Sequence, residues 1–259
     1  MRKNLLGLSV LGLALIFLLV AARKPDTNFN TKKKVAKAPL ATDSIYNCYI
    51  NHLYTTLRLK EAGLSLPVFE KAVTGFYNLK QSGCVSAKPI LTIADFDQVS
   101  TKKRLYIIDL DKKALLLNTW VAHGQNSGWN EATSFSNANQ SFSSSLGFYV
   151  TGEVYRGVHG KSLKLDGMDE GFNSNARRRA IVVHGAPYVS SGTIKALGRL
   201  GRSQGCPAVA PAVADKVINT IEDKTVLFIH KSVEHYQSKY LNETLAASFA
   251  VDLAASNMD

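Results

Sequence analysis

The sequence predicts an α+β fold: a helical hairpin followed by a longer, strand-rich domain. Three observations predict it. Between Asp43 and Gly83 the apolar residues recur at helical spacing in two blocks. From Ile90 onward the pattern changes to short β-branched and aromatic runs bounded by Gly, Asp or Ser. A single later helical stripe, Val213, Val217 and Ile221, opens on Pro211, a residue suited to the first helical position.

The chain begins Met1-Arg2-Lys3-Asn4, then runs apolar from Leu5 to Val20 and leaves through Ala21-Ala22. A basic start, an apolar stretch short for a membrane span and a small-residue exit are the layout of a secretory signal. Residues 1–22 are therefore expected to be a signal peptide or, uncleaved, a membrane anchor over residues 5–22. Either form places the folded part outside the cytoplasm, in the periplasm or cell envelope. Residues 23–42 carry six cations and one anion, Asp26, and read as a basic disordered linker. Of the formal charge of +11, only +4 remains for residues 43–259. That mild excess does not supply the basic footprint of a nucleic-acid binder.

Asp43-Ser44 is the expected start of the first helix, with Ile45, Tyr49, Leu53 and Leu57 on one face and an end near Gly63. Ser65 is the expected cap of the second, in which Phe69, Val73 and Phe76 share a face up to Gly83. The hairpin is assigned to residues 43–88 and the strand-rich domain to 89–232. Seven strands are expected: Ile90–Ile93, Arg104–Leu110, Ala114–Ala122, Leu146–Gly152, Ser162–Leu165, Ala180–His184 and Thr225–His230. The Ser/Asn-rich segment from Gly124 to Ser145 is long for a loop inside a compact domain, which marks it as functional or mobile. The tail, 233–259, reads equally as helix or as disordered chain.

Three cysteines in an exported chain form one pair and one remainder. Cys48 and Cys84 flank the helical segment; they are a disulfide or two buried free thiols. Cys206 is the odd one, in Arg202-Ser203-Gln204-Gly205-Cys206-Pro207. Upstream, the apolar run Ile181-Val182-Val183 ends in His184-Gly185. An imidazole within reach is the common means of turning a thiol into a nucleophilic thiolate near neutral pH. Gly205 lets a substrate carbonyl approach the backbone amides around the sulfur, as an oxyanion hole requires.

The run Arg202–Pro207 with His184-Gly185 upstream resembles the L,D-transpeptidase (YkuD-type) motif, a His-Gly followed after a variable spacer by Ser/Thr-x-Gly-Cys. The similarity extends to Val121-Ala122-His123-Gly124, Phe135-Ser136-Asn137, Ser144–Phe148, Gly167–Asn175 and Ala180–Tyr188, the pattern of the murein L,D-transpeptidase catalytic domain branch, and covers Asp43 to His230. Two departures stand out. Gln204 replaces a histidine common before Gly-Cys, and Pro207-Ala208 stand where Asn or Arg often follows the cysteine. They bear on the substrate and final acceptor more than on the nucleophile.

The resemblance implies a mixed β-sandwich-like catalytic domain acting on peptidoglycan stem peptides without metal or other cofactor. It implies that His184 takes the proton of Cys206, and that the thiolate attacks the carbonyl of an L-centre, expelling the terminal D-Ala. A stem amine, a D-amino acid, a protein lysine or water then resolves the thioester. Amides near Gln204, Gly205 and Cys206 would hold the oxyanion. Gly185 would accept a hydrogen bond from the other His184 nitrogen, and Ser203 would orient His184. Arg202, His123 and Tyr188 are substrate-binding candidates, Arg202 because a guanidinium matches a carboxylate.

Arg177-Arg178-Arg179 reads as an exposed basic turn, and His159, His230 and His235 as structural. Other readings stay open: an L,D-carboxypeptidase or a hydrolase of wall-linked proteins on the same Cys/His site, or a non-catalytic cell-wall binding module. A zinc peptidase drawn from the His159-x6-Asp166 spacing lacks a further histidine and an acidic base. A papain-like order rests on His230 alone.

Overall fold

Helix α1, Pro39–Thr56, opens the part of the chain that the computed structural model describes, residues 39–256. The expected signal segment and most of the linker lie outside the described residues. The helix starts ahead of Asp43, and its buried stripe is Tyr46, Ile50, Leu53 and Leu57. The expected stripe is one position out in its first turns: Ile45 is exposed. The chain leaves the helix through Arg58, at φ +53°, and turns at Gly63, at φ +91°. Helix α2, Leu66–Gln81, has Ser65 at its cap position, but the Ser65 hydroxyl makes no capping bond; a proline in the first turn takes over the start. α2 lies so close to the sheet that a Cβ on Gly75 would fall 2.0 Å from the Phe148 ring.

Eight strands form one mixed sheet: β1 Ile90–Asp95, β2 Leu105–Asp109, β3 Ala114–Thr119, β4 Gly147–Gly157, β5 Gly160–Gly167, β6 Val182–Gly185, β7 Ala208–Val209 and β8 Val226–His230. Their order is β3-β2-β1-β8-β4-β5-β6-β7. β1/β8 and β6/β7 pair parallel, the other neighbours antiparallel. Beyond β3, Ala122 bridges to Ala208 of β7, so the two edges of the sheet meet and the sheet is barrel-like.

Alternate side chains on a strand point to opposite faces, and here both faces are buried. Leu91, Ile93, Phe148, Val150, Val226 and Phe228 face the helical layer. Ile90, Tyr149, Leu163, Leu165, Val183, Leu227 and Ile229 join the other core. Helix α4, Pro211–Ile221, adds Ala214, Val217, Ile218 and Ile221 there.

Three features depart from the expectations, and the tail takes one of its two expected forms. β7 is two residues long, too short to leave a periodic signal. β4 and β5 run far past their apolar segments into an exposed hairpin whose polar residues, Glu153, Arg156 and Lys161, hide the strands. A short helix α3, Ser191–Leu197, has no buried residue; it is capped by Ser190, whose side chain accepts from the Thr193 amide at 3.1 Å, and by Gly198 in the left-handed region. The tail forms helix α5, Glu243–Ser256. Its Ala246 and Ala247 pack with α1 and α2, so the helical layer has three helices. Asn78 Nδ2 fixes the approach to α5, donating to the carbonyls of Tyr240 at 2.7 Å and Asn242 at 2.9 Å.

Cys48 and Cys84 are both free and both exposed, which corrects the disulfide and the buried-thiol reading alike. Cys48 lies on the solvent side of α1, away from its buried stripe, and Cys84 in the turn after α2. Among the described residues no helix is long and apolar enough to cross a membrane.

Candidate active site

The parallel pairing of β6 and β7 brings the two halves of the sequence motif together. His184 is in register with Ala208 and Gly185 with Val209. Cys206, two residues before Ala208, is thereby carried to the same end of the sheet, and both side chains line one cleft of about 580 Å³. The cleft is also lined by Tyr155, Val158 and His159 of the β4–β5 hairpin, by Asn139, Gln140 and Phe142 of the Ser/Asn-rich loop, and by Arg179, Tyr188, Arg202 and Gln204. It contains two arginines and two histidines and no carboxylate among its lining residues.

His184 Nδ1 lies 2.9 Å from the carbonyl oxygen of Gly185. A carbonyl only accepts, so Nδ1 carries the proton and Nε2 keeps its lone pair. Burial pushes the basicity of His184 down; the Gly185 carbonyl opposes this and the neighbouring His159 adds to it. The Cys206 sulfur accepts from the Val182 amide at 3.4 Å and contacts the Ala180 carbonyl at 3.8 Å. Burial raises the thiol above its ordinary range, while the Val182 amide and the Arg179 charge draw it back.

The turn bearing Cys206 is built by Ser203. Its hydroxyl donates to the Cys206 carbonyl at 2.6 Å and accepts from the Gly205 amide at 3.1 Å. Ser203 therefore shapes the turn bearing Cys206 rather than His184, and the Gly205 amide is already engaged. Gly205 sits at φ +114°, and a Cβ there would lie 2.7 Å from the Ser143 carbonyl oxygen. Both the backbone angle and the space call for glycine. Gln204 is exposed at the cleft.

Arg202 lines the cleft with its Nη1 donating to the carbonyls of Gln125 at 3.0 Å and Gly128 at 2.9 Å. Its guanidinium lies over Trp129, 4.6 Å from the ring centroid. Tyr188 also lines the cleft, its hydroxyl pushed up to about 12 by burial and by Cys206.

His123 does not reach the cleft. It is 1 % exposed, and its Nδ1 faces Nη2 of the fully buried Arg104 at 2.7 Å. Burial and that cation push it down to about 4. Only its backbone serves the site, accepting from the Ser203 amide at 3.0 Å.

Two residues read from the sequence as peripheral prove central. Arg179 turns inward from the basic triplet. Its Nη2 donates to the Ser143 carbonyl at 2.6 Å and the Ser141 hydroxyl at 3.0 Å; its Nη1 donates to the Ser136 carbonyl at 2.8 Å and bonds the Ser145 hydroxyl. It thus pins the Ser/Asn-rich loop beside Cys206. His159 stacks on His184 with ring centroids 4.3 Å apart. The neighbouring Arg177 stays outside, both oxygens of Asp166 accepting from it at 2.6 Å.

The zinc spacing is thereby broken, since His159 and Asp166 lie at opposite ends of β5, roughly 20 Å apart at strand rise. His230 is buried against Asp97 at 3.2 Å and is not among the cleft residues, which removes the support for a papain-like order. His235 stacks on Phe172. No local signal marks which arginine of Arg177–Arg179 turns inward; the polar run Ser134–Ser145 that Arg179 ties down was the one hint.

No curated protein matches the chain. Solved structures to which the chain is similar include an L,D-transpeptidase from Mycobacterium smegmatis, at 12% identity and TM-score 0.36, covering 56% of this chain and 59% of that one. The helical cell shape determining protein Pgp2 from Campylobacter jejuni matches at 16% identity and TM-score 0.39, over 72% of this chain and 65% of that one. L,D-transpeptidase 3 from Mycobacterium tuberculosis matches at 12% identity and TM-score 0.33, over 56% of this chain and 62% of that one. The chain thus spans about six tenths of the length of these structures. A family model described as the L,D-transpeptidase catalytic domain matches residues 60–230, a span that runs from the end of the helical hairpin through β8 and includes every cleft residue. With that match over about two thirds of its length, the chain belongs to the L,D-transpeptidase catalytic domain family.

Proposed function

We propose that this protein is a cysteine-dependent murein L,D-transpeptidase that acts on peptidoglycan stem peptides through a thioester. The observation that carries the reading is the meeting of Cys206 and His184 in one carboxylate-free cleft, inside a domain of this family. His184 offers Nε2 as the base, its tautomer set by Gly185. The thiol turns from its contacts with Val182 and Ala180 toward that nitrogen, transfers its proton and attacks the stem carbonyl. The C–N bond to the terminal D-Ala breaks, the imidazolium returns its proton to the leaving amine, and the acyl group stays on sulfur. Because the Gly205 amide bonds Ser203, the amides of Gln204 and Cys206 are the donors proposed for the oxyanion.

Arg202 supplies the positive charge for a stem carboxylate, and Tyr188 bounds the cleft beside it. Peptidoglycan lies outside the cytoplasm, which agrees with the export signal read in residues 1–22 and with a chain that is secreted or held at the membrane. The test incubates the full chain and Cys206→Ala with purified disaccharide-tetrapeptide and weighs the products by mass spectrometry. A cross-linked dimer lacking one D-Ala, formed only when Cys206 is present, is the expected result. Tripeptide alone would make the protein an L,D-carboxypeptidase, and identical products from both proteins would overturn the cysteine mechanism.

A further inference from the structure

The β4–β5 hairpin ends in a two-residue loop, Val158-His159, closed by the pairing of Gly157 with Gly160. It stands in solvent: Val158 is 97 % exposed and His159 is exposed too. Farther down the hairpin, Ser162 is in register with His184. The tip therefore overhangs His184, and His159 folds back over it. The two rings lie 4.3 Å apart at an interplanar angle of 22°, a stacked contact. Tyr155 and Val158 of the same tip also line the cleft.

Rotation of the His184 ring is limited on one side by the Gly185 carbonyl at Nδ1 and on one face by His159. We propose that His159 is a positioning residue for His184, holding the plane of the base by stacking. The inference rests on the reading of His184 as the base.

The charged and titratable groups that share the cleft with His184 come from every neighbouring element. His159 and Tyr155 come from the hairpin, Arg179 from the segment before β6, Tyr188 from beyond β6, and Arg202 and Cys206 from the turn before β7. α4 places Pro211 and Ala214 against Gly185, and neither titrates. Of these groups, His159 is the one in face-to-face contact with the His184 ring. Its proximity adds to the lowering of the His184 proton affinity that burial begins.

The experiment uses the full chain, His159→Phe and His159→Ala. The ring of His184 is titrated by side-chain NMR, assigned through His184→Gln, and turnover of disaccharide-tetrapeptide is followed against pH. In His159→Phe, which keeps a stacking ring but no charge, the His184 midpoint and the acid limb of kcat are expected to rise, with a loss of kcat at the optimum well below that of His159→Ala. In His159→Ala the same rise is joined by a roughly tenfold or greater loss of kcat with little change in KM. Unchanged His184 titration in both variants would overturn the proposal and leave His159 a surface residue of the hairpin. A shifted titration together with full activity in His184→Gln would keep the coupling of the rings and instead overturn the reading of His184 as the base.

Discussion

The hydroxyl of Ser203 donates to the Cys206 carbonyl at 2.6 Å and accepts from the Gly205 amide at 3.1 Å. One buried side chain therefore closes the Cys206 turn from both ends. Ser203→Ala leaves a buried amide without its acceptor and is expected to cost about 1–3 kcal/mol of stability. Urea denaturation of the two proteins measures it. A denaturation midpoint equal to the parent's would mean that the turn holds without Ser203.

Gly205→Ala faces a backbone angle that side chains rarely adopt and a carbonyl 2.7 Å from the new carbon. The expected strain is about 1–3 kcal/mol, and it falls on the residue before Cys206. Alkylation of Cys206 by iodoacetamide, read by mass spectrometry, should slow severalfold while the circular dichroism of the fold persists. Alkylation at the parent rate would refute this.

Arg179 lowers the thiol's affinity for its proton against the upward push of burial. Arg179→Gln removes that charge and loosens the loop residues Ser136, Ser141, Ser143 and Ser145. The alkylation profile of Cys206 should move to higher pH, with a slower rate at pH 7. A profile that stays in place would limit Arg179 to holding the loop.

His123 is pushed down to about 4 in the folded chain, below the ordinary imidazole value of about 6.5. Between these values the unfolded chain binds the proton and the folded chain does not. The contribution is therefore fully present above pH 6.5 and is lost as pH falls toward 4, by about 3 kcal/mol in all. His123→Gln keeps an acceptor for Arg104 and cannot titrate. Its stability, from urea curves at pH 7 and pH 5, should fall less between the two than the parent's. Parallel losses would show that His123 is not the responsible group.

The amino-acid sequence by itself marked the two opening helices, seven of the eight strands, the helix beginning at Pro211, and Cys206 and His184 as candidates for one site. These are legible because helical and strand periodicity, proline and glycine act within a few residues of chain. The first-helix stripe slipped by one position because Ile45 and Tyr46 are both apolar, and only packing against α2 chooses between them.

The tertiary structure alone decided which polar residues make the cleft. β7 has two residues, yet its register with β6 sets the place of Cys206. His159 reaches His184 through the length of an exposed hairpin, Arg179 enters where Arg177 and Arg178 stay out, and His123 turns away into the core toward Arg104. The physical reason is the same in each case. The direction of a side chain in a turn or at a strand end depends on partners distant in sequence, and single-chain periodicity carries no record of them.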